Sequence, residues 1–418
     1  MIIKRDTYLS QLISGMGNRM IKVVTGIRRC GKSFLLFELF HNYLIESGVS
    51  PNHIIEIALD DRRFANLRNP DNIIEYIDSR ITDNGQYYIL LDEVQLLDEF
   101  VDVLNSLLHI KNADVYVTGS NSKFLSSDVA TEFRGRGFNI HIFPLSFAEY
   151  LSAVSLNKND AWRDFYLYGS LPQILAIEGD RAKQQFLAEL AQTVFLADVA
   201  ERNKIKNRDE LSELFSVLAS SIGAPVNPTK LSNTFRSVKK VAISSRTIAK
   251  YLQYLCDAYL IEKSIRYNIK GKKYINTLAK YYFTDMGLRN AILGFRQVEE
   301  THLMENAIYN ELRIRGYSVD VGCVEIRQQL PDGSTRRSLL EVDFVANRGY
   351  SRLYIQSALH IPDEAKMQQE SASLRRIDDS FQKVIIVKDD IAPYQNNDGF
   401  LIVGLFDFLL KPALISGS

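Results

Sequence analysis

The chain has 418 residues, which is too long for a single hydrophobic core, so we expect two or three domains. Its 50 basic and 50 acidic residues cancel, so any attraction to nucleic acid or a membrane must be local. Three widely separated cysteines predict neither a disulfide framework nor a cysteine metal site. Because no apolar run of the sequence reaches transmembrane length, we expect a cytoplasmic protein without a membrane partner.

The first informative motif is a phosphate-binding loop between a β-branched strand (21–25) and a helix. The loop matches the pattern G-x-x-x-x-G-K-[S/T] at every fixed position. This arrangement lets backbone N–H groups and the helix N-terminus surround a triphosphate. We expect Lys32 to reach the β- and γ-phosphates and Ser33 to bind Mg²⁺. The expected nucleotide contacts are the loop and the residue after it: Gly26, Ile27, Arg28, Arg29, Cys30, Gly31, Lys32, Ser33 and Phe34.

A second motif ends an apolar strand at 87–91, which Asp92 and Glu93 follow directly. Such a strand end is typical of a Walker B motif, in which Asp92 holds the Mg²⁺ shell and Glu93 activates the attacking water. The alternative is a strand end with two solvated acids. The phosphate-binding loop upstream favours the functional interpretation.

Polar residues follow a third strand at 114–118, and we expect Asn121, or else Ser120, to touch the γ-phosphate or the water. A helix cap or turn is an equally good interpretation of these two residues. Further on, Arg134 and Arg136 are candidates for stabilising charge on a transferring phosphoryl group, in the same subunit or from another one. Each of them alone is also compatible with an ordinary surface arginine.

Strands at 53–59 and 138–142 and a helix opening at Pro70 complete the pattern of the first part of the chain. Alternating strands and helices predict a parallel, doubly wound α/β sheet. In such a sheet the nucleotide binds at the carboxyl ends of the strands.

The runs GIRRCGKS, YYILLDEVQLL, VYVTGSNSKFL, FRGRGFNIHIFPLSFAEYL and YGSLPQIL together resemble a prokaryotic family of AAA-type ATPases. That family joins a P-loop NTPase domain of the ASCE/AAA type to a winged helix-turn-helix and a restriction-endonuclease-like α/β domain. The resemblance spans nearly the whole chain. It implies ATP and Mg²⁺ as cofactors and ATP hydrolysis, but little about the physiological role. The candidate partners have other grounds: a second copy of the chain could supply an arginine, and DNA could bind the basic residues described next. The expected divisions are 1–155 for the ATPase domain, 156–208 for a helical linker or lid, 209–295 for the winged helix and 296–418 for the nuclease-like domain.

Residues 227–283 form a basic island, with twelve lysines and arginines against two acids. A helix capped at Ser244 or Ser245 carries an apolar stripe, and strands at 260–269 and 273–277 would meet at a wing-like turn. The pattern resembles a winged helix-turn-helix. Nucleic-acid contact and a purely packing role both remain open. The candidates for nucleic-acid contact are Arg246, Lys250, Lys270, Lys272 and Lys273.

The last part of the chain resembles a degenerate PD-(D/E)xK nuclease core. Glu305 falls on a helix, Asp343 on one strand and Gln356 on the next, but Ala358 stands where the pattern has its lysine. Because that lysine helps to activate the nucleophilic water, its loss predicts an inactive domain. Lys366 on the following helix is a candidate replacement.

Three functions therefore compete: a Mg²⁺-dependent ATPase, a nucleic-acid-binding regulator that uses ATP as a conformational switch, and an ATP-gated nuclease. The intact Glu93 favours the first. The basic island adds support to the second, and Ala358 argues against the third.

Overall fold

The computed structural model describes residues 2–119, 135–239, 243–329 and 335–415. The chain divides into two units. The first consists of Met1–Pro144 with the short segments Leu171–Gln173 and Asp257–Tyr259. The second consists of Leu145–Ser170, Ile174–Cys256 and Leu260–Ser418. The finer division into four domains stays a prediction.

A parallel sheet forms the centre of the first unit. Among the described residues it has five strands in the order β2-β3-β4-β1-β5, and every neighbouring pair is parallel. The strands are β1 (Ile21–Thr25), β2 (Ile54–Ala58), β3 (Tyr87–Asp92), β4 (Ala113–Gly119) and β5 (Gly137–His141). All residues of β1 and β3 are buried, as expected for strands covered on both faces. The predicted parallel α/β sheet is confirmed.

Helices cover both faces of this sheet. They are α1 (Asp6–Ser14), α2 (Lys32–Phe34), which continues through the π-helix Leu35–Phe40 into α3 (His41–Glu46), α4 (Pro70–Arg80) and α5 (Phe100–Leu107), with 3₁₀ turns at Pro51–His53, Arg62–Arg68 and Val94–Leu96. Apolar residues of α4 and α5 form one core with β1–β4. On another side, the ring of Phe40 packs against Tyr116 of β4 at a centroid distance of 4.5 Å.

The chain after Pro144 contains the remaining described helices, some of which lie between the strands of a second sheet. They are α6 (Phe147–Ala153), α7 (Lys158–Tyr168), α8 (Asp180–Glu189), α9 (Ala197–Arg202), α10 (Arg208–Ser220), α11 (Pro228–Thr234), α12 (Ser245–Asp257), α13 (Met286–Ile292), α14 (Glu300–Ile314), α15 (Glu364–Ser371) and α16 (Leu405–Leu410). Two π-helices, Leu190–Leu196 and Phe235–Lys239, and three 3₁₀ turns, Pro172–Ala176, Leu374–Arg376 and Pro412–Leu414, complete the described set.

Two of the stretches that carry the family resemblance lie outside the ATPase motifs, at residues 144–150 and 169–172, and the structure explains both. Ser146 and Glu149 form a reciprocal capping box at the start of α6. At Gly169, which has φ +76°, an added Cβ would lie 2.2 Å from a carboxylate oxygen of Asp285. That carboxylate accepts hydrogen bonds from the backbone N–H groups of Ser170 and Leu288, so it caps α13 and fixes the end of α7.

A mixed sheet forms the centre of the second unit. In the part of the chain that the structure describes it has eight strands in the order β12-β13-β11-β10-β9-β8-β6-β7. Their bounds are β6 (Ile261–Asn268), β7 (Lys273–Phe283), β8 (Ser318–Gln329), β9 (Thr335–Arg348), β10 (Ser351–Ala358), β11 (Gln382–Val387), β12 (Tyr394–Gln395) and β13 (Leu401–Gly404).

The hairpin predicted as a wing is present as β6 and β7, but it belongs to this larger sheet. Strand β6 pairs in parallel with β8 through Arg266 and Val321. The sheet therefore runs across the predicted boundary at residue 295. The helix before the hairpin agrees with its prediction, because Ile248, Leu252 and Leu255 are buried on α12 and the backbone N–H of Thr247 donates to Ser244 Oγ at 3.0 Å.

Candidate functional site

The carboxyl ends of three neighbouring strands bring the motif residues of the first unit together. Val24 of β1 lies opposite Thr118 of β4, and Leu91 of β3 lies opposite Val117. The next residues, Asp92 and Thr118, therefore meet, and the Thr118 hydroxyl donates a hydrogen bond to Asp92 Oδ1. The phosphate-binding loop leaves the sheet at this same edge, directly after β1.

The phosphate-binding loop needs glycine at two positions for steric reasons. Gly26 has φ +148° and Gly31 has φ +99°, values that residues with a Cβ rarely adopt. A Cβ on Gly26 would also lie 2.3 Å from the carbonyl oxygen of Ile142. Ile27 and Cys30 are buried beneath the loop, whereas Arg28, Arg29, Ser33 and Phe34 are exposed.

Lys32 begins the helix that follows the loop and is buried. Its ammonium donates hydrogen bonds to the carbonyl oxygens of Gly26 and Ile27, both at 3.2 Å. The lysine therefore lies across the concave side of the loop, where it neutralises part of the partial negative charge of two carbonyls. An anion bound in the loop would meet this ammonium first.

Asp92 is a buried carboxylate at the end of β3. Burial raises the pKa of Asp92, hydrogen bonds from Thr118 and Ser33 lower it, and the charges of Glu93 and Asp60 raise it. The net shift of the pKa is upward, so the hydrogen bonds offset only part of the cost of burying the ionised carboxylate. The hydroxyl of Ser33 and the carboxylate of Asp92 are hard oxygen donors next to each other, which fits a divalent cation such as Mg²⁺.

Glu93 takes an unusual backbone conformation, with φ +52°. Its backbone N–H donates to Thr118 Oγ1 at 3.1 Å, and its side chain accepts a hydrogen bond from Gln95 Nε2. The left-handed turn directs the chain away from the strand immediately after Asp92. Non-glycine residues held in such conformations are often found at functional sites.

Sequence reasoning missed Thr118, which links Asp92 and the backbone of Glu93 through one hydroxyl. A polar residue aligned with Asp92 on an adjacent strand is the signal that could have found it. It also missed Arg5, whose guanidinium donates to the carbonyl oxygens of Cys30 at 3.0 Å and Phe143 at 2.7 Å. Arg5 thus fastens the phosphate-binding loop to the segment after β5, and no motif indicates this role.

Arg136 lies at the opposite edge of the sheet from the loop. Its carbonyl oxygen accepts a hydrogen bond from the backbone N–H of Ile21 at 2.8 Å, at the start of β1. The five-residue strand separates this point from Gly26 by roughly 16 Å, which an arginine side chain does not span. In this structure Arg136 therefore does not reach the phosphate-binding loop of its own subunit, and its role at the phosphates stays a prediction. Asn121, Ser120 and Arg134 lie outside the described residues.

The candidate nucleic-acid residues of the basic island are all exposed: Arg246, Lys250, Lys270, Lys272 and Lys273. Other members of the island are used inside the second unit. Arg266 Nη2 lies 3.4 Å from Glu341 Oε2, and the buried Lys280 Nζ lies 2.7 Å from Glu341 Oε1. The island is therefore divided between internal ion pairs and the surface.

The acid predicted on the nuclease-like helix has partners from β7. Glu305 Oε1 accepts hydrogen bonds from Lys280 Nζ at 3.0 Å and from the hydroxyl of Tyr282 at 2.8 Å. Burial alone would lower the pKa of Lys280, but the charges of Glu305, Asp343 and Glu341 raise it above its usual value. The lysine is therefore a firmly charged ammonium.

The acid predicted on the strand also has partners from the chain. Asp343 Oδ2 accepts hydrogen bonds from the backbone N–H of Ser357 at 2.8 Å and from its hydroxyl at 3.0 Å. Gln356 lies beside it and accepts a hydrogen bond from the backbone N–H of Asp343 at 3.4 Å. Lys366, the candidate replacement for the missing lysine, instead pairs with Glu370 on its own helix at 2.6 Å.

The chain resembles known proteins both in single domains and over most of its length. Residues 18–151 match the model of an AAA domain, and residues 159–299 match a domain of unknown function. An uncharacterized protein of Haemophilus influenzae is 32% identical over 416 residues, which is 98% of this chain and 99% of that protein. An uncharacterized protein of Methanocaldococcus jannaschii is 28% identical and covers 91% of this chain and 83% of its own.

Among solved structures, a Walker-type ATPase of Pyrococcus abyssi is 16% identical and covers 70% of this chain and 96% of its own, with a TM-score of 0.48. A likeness at this level does not bear on function. The near full-length relationship to the Haemophilus protein and the AAA-domain match define the class. The chain belongs with that protein to a family of AAA-type, ATP-binding P-loop ATPases.

No described helix combines the length and apolar character that a membrane span requires. Within the same ranges, no group of three or more histidine, cysteine, aspartate or glutamate residues is arranged to hold a metal ion.

The first prediction concerns Asp343, for which burial and the charge of Glu305 raise the pKa to about 7. The unfolded chain releases this proton near the ordinary value for aspartate, so between about pH 4 and about pH 7 the folded protein binds more protons. The free energy of unfolding should therefore fall as pH rises through this window. Asp343→Asn removes this contribution, so its melting temperature relative to the wild type should rise between about pH 4 and about pH 7 and level off above that.

Differential scanning calorimetry across this range is the measurement. Asp390→Asn is the control, since Asp390 is largely exposed. A melting-temperature difference for Asp343→Asn that stays constant with pH would show that Asp343 does not titrate there.

Proposed function

We propose that the protein hydrolyses ATP in a Mg²⁺-dependent reaction at the carboxyl edge of the parallel sheet. The observation that carries this proposal is the meeting of the phosphate-binding loop, Asp92 and Glu93 at that edge, linked by Thr118. A phosphate-binding loop without an adjacent acid would support nucleotide binding alone. The acid next to Asp92 is what favours hydrolysis.

Phosphate binding falls to the loop and to Lys32. The ammonium would leave the carbonyl oxygens of Gly26 and Ile27 and pair with the β- and γ-phosphates. Because Lys32 is already buried at the loop, this exchange needs little reorganisation of its side chain. The N-terminus of the following helix adds its partial positive charge to the site.

Ser33 and Asp92 would hold the Mg²⁺ ion, directly or through water. When bound, the ion neutralises negative charge that develops on the phosphate oxygens. A cation beside Asp92 would also stabilise its ionised form and so offset the effect of burial on its pKa. The hydrogen bond from Thr118 keeps one oxygen of Asp92 in a fixed direction.

Glu93 would orient the attacking water and accept its proton. In the described structure its side chain is bonded to Gln95 Nε2, so it would have to turn from this partner to reach the water. The backbone N–H bond to Thr118 fixes the main chain of Glu93 while the side chain changes partner. Hydrolysis would therefore require both residues of the pair Asp92 and Glu93.

The second prediction separates binding from hydrolysis. Lys32→Ala should abolish ATP binding, because the β- and γ-phosphates lose their nearest cation. Glu93→Gln should bind ATP but lower kcat by on the order of 10²–10⁴-fold, because an amide cannot accept the proton. Binding is measured with a fluorescent ATP analogue and turnover by phosphate release.

The matched controls are Lys111→Ala and Glu99→Gln, which change exposed residues of the same unit. Both should behave as the wild type. If Glu93→Gln hydrolysed ATP at the wild-type rate, another group would have to activate the water.

The third prediction concerns Thr118. Thr118→Val keeps the shape of the side chain but removes the hydroxyl that links Asp92 and Glu93. The loss of one hydrogen bond to a charged group should lower kcat roughly tenfold, with ATP binding nearly unchanged. Thr118→Ser retains the hydroxyl and should retain most of the activity, and equal losses in both variants would contradict this linking role.

A second proposed function is contact with nucleic acid through the turn between β6 and β7. The supporting observation is that Lys270, Lys272 and Lys273 are exposed at one turn, while the buried Lys280 of the same hairpin is engaged internally. Lysines at such a turn would bind phosphates and give little sequence specificity. If nucleic-acid contact is the main function, ATP would act mainly as a conformational switch. An ATPase assay with and without DNA would distinguish this function from the ATP hydrolysis proposed first.

The fourth prediction tests this contact. Binding to a DNA duplex should weaken steeply with salt, because each phosphate contact releases counterions. Reversing Lys270, Lys272 and Lys273 to glutamate should remove most of the binding. It should also reduce the slope of the logarithm of the binding constant against the logarithm of salt concentration by the equivalent of about three phosphate contacts. Fluorescence anisotropy with a labelled duplex measures both.

The control variant reverses three other exposed lysines: Lys111, Lys204 and Lys206. It has the same net charge as the test variant and should retain binding. An absence of wild-type binding at low ionic strength would leave the hairpin with a packing role only.

A further inference from the structure

Three aromatic side chains and one guanidinium form a continuous row of contacts in the second unit. Tyr267 of β6 lies directly opposite Tyr274 of β7, and their ring centroids are 5.3 Å apart. The guanidinium of Arg352, from β10, lies over the rings of Tyr267 and Phe381, at 5.3 Å and 5.4 Å from their centroids. We call these four residues the stacked row. Its two ends are accessible, because Tyr274 is 56% exposed and Phe381 is 39% exposed.

Hydrogen bonds hold the stacked row in place. The hydroxyl of Tyr274 donates to Asp320 Oδ2 at 3.2 Å, and Arg352 Nε donates to Asn347 Oδ1 at 2.7 Å. Side chains that are fixed before a ligand arrives lose little conformational entropy on binding. A cross-strand aromatic pair also stabilises its own hairpin, but that role depends on the contact between the rings and does not account for the exposure of Tyr274.

The lysine-bearing turn of the hairpin adjoins the exposed end of the row. Lys273 directly precedes Tyr274, and Lys270, Lys272 and Lys273 are all exposed. Lys272 has φ +47°, a conformation in which turns favour glycine or asparagine. A lysine held at such a position is consistent with a function for its charge.

The acids near the row and the turn leave the lysines available to a phosphate. Asp320 and Asp379 each accept a hydrogen bond from a tyrosine hydroxyl, at 3.2 Å and 2.6 Å. Lys270 Nζ lies 3.8 Å from Asp378 Oδ2, and the side chain of Asp378 is 85% exposed. Because an exposed ion pair of this kind contributes little free energy, a phosphate can replace the aspartate as the partner of Lys270.

Exposed rings beside cations are the two components of a site for unpaired nucleic acid. The bases of a duplex stack on one another, whereas an unpaired base has a free face that can stack on a tyrosine ring or a guanidinium. We propose that the stacked row binds the bases of a single-stranded nucleic acid while Lys270, Lys272 and Lys273 bind its phosphates. This inference rests on the nucleic-acid contact proposed above for the same turn, and it specifies an unpaired strand as the ligand.

The test measures binding of the full-length protein to labelled oligothymidylate, oligouridylate and a duplex, each about 16 nucleotides long, by fluorescence anisotropy. The wild type should bind oligothymidylate more tightly than the duplex at the same salt concentration. Tyr274→Ala should weaken binding to oligothymidylate roughly tenfold and leave duplex binding unchanged, because only unpaired bases lose a stacking partner. Its salt dependence should equal that of the wild type, because no phosphate contact is lost.

Matched variants separate stacking from other effects of the substitution. Tyr274→Phe loses the hydrogen bond to Asp320 but retains the ring, so it should bind nearly as the wild type does. Tyr274→Leu retains apolar bulk in the hairpin without an aromatic face, so it should weaken binding as Tyr274→Ala does. Tyr394→Ala should bind as the wild type, because Tyr394 is 47% exposed on β12, at the opposite edge of the sheet from β7. The melting temperature of each variant verifies that it is folded.

The possible failures can be distinguished. Equal affinity of Tyr274→Ala and the wild type for oligothymidylate, with binding still lost when the three lysines are reversed, would overturn the stacking site and leave the phosphate contact standing. No binding to any of the oligonucleotides at low ionic strength would overturn both, and a wild-type dimer that Tyr274→Ala dissociates would then assign the row to contact between copies of the chain. A preference for oligothymidylate or for oligouridylate identifies the sugar of the strand, and either supports the proposal.

Discussion

The first unit depends on the parallel register of β1, β4 and β3. Parallel strands that end at one edge bring residues distant in sequence into a single row, and here that row contains Val24, Thr118 and Asp92. The phosphate-binding loop begins two residues after Val24, and Glu93 follows Asp92 directly. A shift of one residue in this register would turn the Asp92 side chain to the other face of the sheet. The site therefore exists because the strand pairing exists.

The supporting contacts of the site come from parts of the chain that carry no recognisable motif. Arg5 fastens the loop through the carbonyl of Cys30, and the hydroxyl of Thr118 holds the carboxylate of Asp92 and the backbone of Glu93. Such contacts hold functional groups in position before a ligand arrives, which limits the reorganisation needed during catalysis. The buried charges of Lys32 and Asp92 thus lie at the edge of the sheet where we propose that the nucleotide and its cation bind.

The second unit uses buried charge in the opposite way. Lys280 and Arg266 satisfy Glu341, and Lys280 also satisfies Glu305. Breaking such a pair by removing one partner costs more than the pair contributes, because the remaining charge stays buried. The lysines at the turn between β6 and β7 are exposed, and Lys270 lies 3.8 Å from the exposed Asp378. The basic island is therefore divided between buried ion pairs and exposed residues, according to which residues of a strand face the interior.

The sequence by itself determined the parallel sheet, its strand positions and the phosphate-binding loop, because apolar runs and a glycine pattern encode local conformation directly. It also located Glu305 and Asp343, since both lie on strongly patterned elements. Only the tertiary structure decided that Thr118 contacts Asp92, that Arg136 lies at the far edge from the loop, and that Lys280 pairs with Glu305 and Glu341. These outcomes depend on pairing between distant strands and helices, which no local pattern specifies.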